Sequence, residues 1–389
     1  MTRTTTSTRA ARLPRSGIRA VADAARSTPG AIRLDIGDPD FPTPDHVADA
    51  VRAAAAAGHT HYGPAAGLPS LRSAIAERLS LERGSVCAPD EVVVSVGAAG
   101  GIFCTLLALL DDGDEVLLPD PGWSNLVGMC AAAGVSPRHY ALDRSRGFEP
   151  NLDSVSAAVG PRTRAIVVNT PANPTGAVWP GESLAALAAL AAERGLWLIA
   201  DECYDAFAYD RPHVPAAVVS PDPDSVVTVR SFSKTYAMTG WRVGFVVAAP
   251  AAAGQVARAQ EAILSCPATP VQLGAEAALT GPQDAVVAMR GAYRRRRDLA
   301  LAALDGAGIS YVRPRGAFYV MVDVSTSGER STDVAAGLLR LHGVAVVPGD
   351  AFGPSGEGFV RVSLAAPDVA IETGMERLAR MLGRDRTAA

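Results

Sequence analysis

RAIVVNTPANPTGAVWPGESLAALAALAAERGLWLIADECY, residues 164–204, decides the fold class. Two apolar, largely β-branched runs, RAIVVNT and LWLIADE, flank an Ala/Leu-rich stretch, and neither run alternates polar with apolar residues. A strand that is apolar on both sides is covered on both sides, and helices between such strands mark a mostly parallel sheet. The pattern extends outward. EVVVSVG from Glu91, EVLLPD from Glu115 and SVVTVRS from Ser225 are further runs of the same kind, and AAGGIFCTLLALL is a helical stretch between the first two. The expected core is therefore α/β. The last part, AFYVMVDV to FVRVSLA, mixes strands with helices and reads as a smaller α+β unit. No internal repeat is present.

The whole chain has 389 residues, 48% hydrophobic and 20% charged, enough for a large core. A net charge of −4 gives no bulk attraction to nucleic acid or an anionic membrane, and neither is expected as a partner. No apolar stretch approaches the roughly 18 to 20 residues of a membrane span. Five widely spaced cysteines, at 87, 104, 130, 203 and 266, lack any C-x-x-C pair and read as free thiols of a reducing, cytoplasmic compartment. Five arginines in the first twenty residues faintly resemble a transit peptide, but a solvated tail is the expectation. The basic run YRRRRD, from Tyr293 to Asp298, reads as the wet face of a helix.

Ligands of such sheets collect at the carboxyl ends of the strands. Here those ends carry GAAGG, PGWSN, NTPANPTG, DECY and SFSK. The last opens SFSKTYAMTGWRVGF, residues 231–245. Lys234 alone would pass for a surface residue. Ser231, Ser233 and Arg242 beside it offer two hydroxyls and a guanidinium, a set suited to a phosphate dianion. Gly97, Ala98 and Ala99 lie where a strand turns into a helix, whose free N–H groups also favour an anion, and Tyr62 offers a phenol. GAAGGIF lacks the Gly-Lys-Ser/Thr end of a P-loop, and VGAAGG lacks the G-x-G-x-x-G spacing of a dinucleotide site.

Asp201, after an apolar run, is either a helix N-cap or the partner of a buried cation. Tyr204 and Asn173 can donate to an oxygen beside that cation, although Asn-Pro also simply marks a turn. Trp123 can stack on a flat ring or belong to the core. Together these residues describe one ligand: an aromatic cation with a phenolic oxygen, a phosphate, and an aldehyde for the lysine. That ligand is pyridoxal 5'-phosphate. His59 and His61 lack companions at ligand spacing, and no metal is expected.

As a linked set, HYGPAAGLPSLRSAI, NTPANPTG, DECY and SFSKTYAMTGWRVG resemble the signatures of the fold type I, class I/II aminotransferases, especially the aspartate aminotransferase-like subgroup. The resemblance runs from about GIRAVADAARSTPGAIRLDIGDPDFPTP to GFVRVSLA. It implies a large domain with a mostly parallel seven-stranded sheet flanked by helices, over residues 46–290. A smaller α+β domain would be built from residues 1–45, with an N-terminal arm, and 291–389. It implies that Lys234 is the Schiff-base lysine, Arg242 the phosphate-binding arginine and Asp201 the acid that keeps the pyridine nitrogen protonated. Tyr204 and Asn173 would meet the ring oxygen, Trp123 would stack on the ring, and Ala98 and Ala99 would occupy the phosphate loop. On the substrate side it implies a backbone contact from Gly37 and a carboxylate clamp from Arg361. Tyr62 matches a tyrosine that reaches the partner subunit's phosphate, so a homodimer with composite sites is expected. GAA lacks the polar third residue common in this loop, and Asn125 varies a substrate-side position.

The implied activity moves an amino group between an L-amino acid and a 2-oxo acid by ping-pong kinetics, with Lys234 as aldehyde carrier and then as base. Carbon–sulfur β-lyases and oxidative or decarboxylating enzymes of the same fold share the cofactor set. Aminotransferase-like sensors fused to DNA-binding modules are the more distant alternative. The motifs assign no second arginine to a distal carboxylate, which leaves the amino donor open.

Overall fold

β-Branched runs without polar alternation fold here into one sheet that is buried from both sides. In the computed structural model, which describes residues 7–384 apart from 12 and 15, the N-terminal tail expectation falls in good part outside the described residues. A short strand, β1 (Ile32–Arg33), precedes the main set: β2 (Val92–Ser95), β3 (Glu115–Asp120), β4 (Ser136–Asp143), β5 (Glu149–Pro150), β6 (Thr163–Asn169), β7 (Trp197–Asp201), β8 (Val226–Ser231) and β9 (Gly244–Val247). Strands β2 to β9 form an eight-stranded sheet in the order β2-β9-β8-β7-β6-β3-β4-β5. Its centre, β4-β3-β6-β7-β8, is parallel throughout. β9 runs antiparallel to β8 and β2, and the eighth strand, the two-residue β5, is an antiparallel edge strand. Side chains alternate across the sheet. Val116, Leu118, Ala165, Val167, Ile199 and Val227 enter one core layer. Leu117, Ile166, Val168 and Leu198 enter the other.

The smaller sheet follows in β10 (Tyr311–Val312), β11 (Tyr319–Asp323), β13 (Val347–Pro348) and β14 (Phe359–Ser363), antiparallel in the order β10-β11-β14-β13. β12 (Val344–Ala345) instead pairs parallel with β1, so the N-terminal segment is tied to the C-terminal part of the chain. The junction expected at residues 290–291 lies inside a single helix, Asp284–Gly306.

That helix corrects half of the reading of YRRRRD: Arg294, Arg295 and Asp298 are exposed, as expected of a wet face, and the last two arginines are not. Arg296 and Arg297 are 5% and 1% exposed, far from a wet face. Arg296 makes a bidentate pair with Asp40 at 2.7 and 2.8 Å and reaches Asp368 at 2.7 Å. Arg297 reaches Asp210 at 2.9 Å. A helical period puts Tyr293, Arg296, Arg297 and Ala300 on one buried face. Arg297 also reaches the adjacent Asp298 at 2.9 Å, but Asp40, Asp368 and Asp210 come from distant segments, so the local run cannot reveal them.

A second buried cation fixes the strand ends where the chemistry gathers. Arg230, one residue before the end of β8, meets Glu202 at 3.0 Å, Glu82 at 2.6 Å and Asp205 at 3.1 Å. Glu202 directly follows Asp201, so this network holds the ends of β7 and β8 in register. Breaking a buried pair strands its partner charge. Arg230→Met is expected to lower unfolding stability by about 3 to 5 kcal/mol in urea titrations. A loss below about 1 kcal/mol would contradict this role.

Candidate active site

The carboxyl ends of β6, β7 and β8, with the amino-terminal end of the helix Gly97–Leu109, meet the small sheet around a polar centre. At the helix start, Gly97 has φ 65° and Val96 supplies no side-chain cap, leaving the first amides, including those of Ala98 and Ala99, for other acceptors. Arg242 packs directly over this turn. A Cβ at residue 97 would lie 2.7 Å from an Arg242 guanidinium nitrogen and would sit on a left-handed backbone, so glycine suits both the turn and the approach. Arg242 Nη1 donates to the Thr239 carbonyl at 2.7 Å. The Ser231 hydroxyl caps the short helix Phe232–Thr235 by accepting from the Ser233 amide at 3.1 Å, and the Ser233 side chain is buried beside it. Arginine, helix amides and hydroxyls form a cradle with the donor set a phosphate requires.

Lys234 stands on that short helix and its Nζ donates to the Gly37 carbonyl at 2.6 Å. Burial lowers its pKa to about 8, with help from the Arg242 and Arg361 cations and against the pull of Asp38 and Cys203. Asp201 ends β7 and is 5% exposed. It caps no helix. Its Oδ1 accepts from the Cys203 amide at 3.1 Å in a turn, and its carbonyl accepts from the Asn169 side chain at 3.0 Å. Burial raises its pKa, and no cationic side chain among the described residues pairs with it. Of the two sequence readings of Asp201, the geometry thus removes the N-cap. Tyr204, in the following turn, is buried, and its hydroxyl lies 2.9 Å from that of Tyr319.

Arg361, on β14, is 2% exposed. Its Nη1 donates to Asn173 Oδ1 at 2.8 Å and its Nη2 to the Asp35 carbonyl, while its Nε has no partner. The Asp35 carboxylate is itself held by Arg33 at 2.7 and 2.9 Å. Two aromatic rings, Tyr319 at 4.4 Å and Phe352 at 4.7 Å, complete its surroundings. Trp123 is half-buried against the core, and with Phe352 it borders a cavity of about 1350 Å³ between the helices Gly17–Arg26 and Asn125–Ala133.

Lys234 with Gly37 and Asn173 with Arg361 thus form two hydrogen-bonded pairs on either side of Tyr319, with the Gly97–Arg242 cradle close enough to act on the lysine charge. Tyr62 stands apart. It lies in the loop before the helix Pro69–Arg83, is 89% exposed, and makes no hydrogen bond among the described residues. Tyr319, Phe352 and Asp35 are site neighbours that sequence reasoning missed. Tyr319 lies within AFYVMVDV, a run legible as a strand, but only the pairing of β11 with β14 brings it beside Arg361.

Comparison with known proteins fits this arrangement. Residues 29–378 match the family described as aminotransferase class I and II. The chain belongs to that family. It is 40% identical, over 91% of each chain, to the aspartate/prephenate aminotransferase of Thermus thermophilus. It is 36% identical, over 94% of its own length and 95% of the other's, to aromatic-amino-acid aminotransferase 2 of Thermococcus litoralis. Among solved structures, aspartate aminotransferase from Thermus thermophilus with maleate superposes with a TM-score of 0.92 at 38% identity, covering 97% of this chain and 100% of that one. Class I and II aminotransferases depend on pyridoxal phosphate. The residues present fit that group: an amide and guanidinium cradle turning at a left-handed Gly97, a lysine with a lowered pKa, and a buried acid lacking a cation.

A lysine attacks an aldehyde only as the free amine. With its pKa near 8, Lys234 is mostly protonated below that value and mostly free above it. The rate at which pyridoxal phosphate becomes trapped by borohydride, mapped to Lys234 by peptide analysis, is expected to rise with pH through about 8. Lys234 is the sequence's one lysine; a trapped adduct that does not map to it, or a rate that rises only near the ordinary lysine value, would contradict the assignment.

Proposed function

We propose that this aminotransferase carries pyridoxal 5'-phosphate on Lys234 and passes an amino group between an L-amino acid and a 2-oxo acid in two alternating half-reactions. The observation that carries the reading is Arg361: a sealed guanidinium with an unpartnered Nε and no carboxylate of its own. Burying a charge costs several kcal/mol unless it is answered. A site that retains such a cation is built for an anion that arrives with the ligand, and the α-carboxylate common to amino and 2-oxo acids is that anion.

When bound, the cofactor supplies an electrophilic carbon and an electron sink. Gly97, Ala98 and Ala99 amides with Arg242, Ser231 and Ser233 hold its phosphate. Asp201 keeps a ring nitrogen protonated, because a buried acid without a cation is best satisfied by one. Tyr204 and the Asn173 amide donate to the ring oxygen, and Trp123 covers the ring face. Gly37 and Arg361 orient the substrate, and the freed Lys234 amine takes the proton from its Cα. Tyr62, exposed in one chain, serves the site of a second copy, so the working unit is a homodimer. The five cysteines are free, which suits a reducing, cytoplasmic setting. Among the described residues no helix is long and apolar enough to cross a membrane.

Arg361→Ala is expected to raise KM for the amino donor about 10- to 100-fold, the equivalent of roughly 1.5 to 3 kcal/mol for a charge-assisted pair. Steady-state kinetics with the visible spectrum of the cofactor-loaded variant checks this. An equal loss of cofactor would make Arg361 a structural residue.

A further inference from the structure

Two of the groups assigned above share one neighbour. Tyr319 opens β11, opposite Ser363 of β14, while Arg361 sits opposite Met321. Residues two apart on a strand point to the same face, so Tyr319 lies diagonally beside Arg361, and the guanidinium rests on its ring at 4.4 Å. The other end of the same side chain meets Tyr204, hydroxyl to hydroxyl, at 2.9 Å. Tyr319 is itself 2% exposed, so its ring has no freedom to turn away. Gly37 closes the third side. A Cβ there would fall 1.7 Å from the Tyr319 hydroxyl, so the segment that accepts the Lys234 hydrogen bond approaches only because residue 37 has no side chain.

We infer that Tyr319 is a positioning residue of this site, its hydroxyl orienting the Tyr204 hydroxyl and its ring holding the Arg361 guanidinium. The inference rests on the cofactor reading given above. Burial pushes both phenols above their ordinary pKa, so the pair is neutral near pH 7 and a single hydrogen lies between the two oxygens. With Tyr319 as the donor of that hydrogen, the proton of Tyr204 is directed outward, to the ring oxygen of the cofactor. A better-oriented donor favours the anionic form of that oxygen and lowers the pH at which the loaded protein changes colour. The ring has a separate task. A desolvated cation over an aromatic face is held in place without being neutralised, which leaves its charge for the incoming carboxylate.

Two variants separate the tasks. Tyr319→Phe keeps the ring and removes the hydroxyl; Tyr319→Leu removes both. In cofactor-loaded Tyr319→Phe, the pH midpoint of the visible absorbance change is expected to move up by about 0.5 to 1 unit, with KM for the amino donor near the wild-type value and kcat reduced. Tyr319→Leu should show the same midpoint shift and, in addition, a KM raised about 3- to 30-fold. A Phe variant with an unmoved midpoint, or one whose KM rises as far as that of the Leu variant, would overturn the inference. If the Leu variant does not fold, the Phe variant decides alone. A loaded wild-type protein without any visible band would instead overturn the functional reading, and the inference with it.

Discussion

Arg361 is a cation sealed where three parts of the chain meet, with no anion to answer it. Asp35 brings the N-terminal segment, Asn173 the loop after β6, and Tyr319 the small sheet. Each contact is one that a neutral group can make: a carbonyl, an amide oxygen, a ring face. The nearby carboxylate of Asp35 is occupied by Arg33. The buried Arg296, by contrast, is answered by Asp40 and Asp368. The protein thus pairs its other buried arginines with acids and leaves this one charged and unsatisfied. The ligand must supply what the fold withholds.

The same division appears around Lys234 and Asp201. Arg230 sits beside both strand ends and could have neutralised an acid in the site, but it is surrounded by Glu202, Glu82 and Asp205. Structural charges are balanced behind the sheet ends, and the groups in front of them are desolvated singly. Desolvation then does opposite things to the two signs. It lowers the lysine to about 8 and raises the aspartate, bringing both nearer to the neutral forms that an arriving charged ligand reverses.

Much of this was legible in the chain because the relevant signals are local. β-Branched runs specify the buried parallel strands, and the rule that ligands gather at their carboxyl ends points to Ala98, Trp123, Asn173, Asp201 and Lys234 without any coordinates. What was hidden depends on long-range pairing. Tyr319 acquires its place from the register of β11 against β14. Arg296 and Arg297 looked like a solvated run because, the adjacent Asp298 apart, their acids Asp40, Asp368 and Asp210 lie far away in sequence. Gly37 was assigned a backbone contact, but its lack of a side chain has a second reason, the Tyr319 hydroxyl, visible only in three dimensions. β5 is two residues long, too short to carry a period.

The central claim is that Lys234 and Asp201 hold a cofactor and Arg361 its amino-acid substrate through two alternating half-reactions, and a half-reaction tests it most directly. The cofactor-loaded protein would be mixed with its best L-amino acid donor and no 2-oxo acid acceptor, and the products followed with the visible spectrum. The account predicts release of about one equivalent of 2-oxo acid per subunit, loss of the visible band in step, and no ammonia. Continued release of 2-oxo acid with matching ammonia, the band persisting, would contradict it.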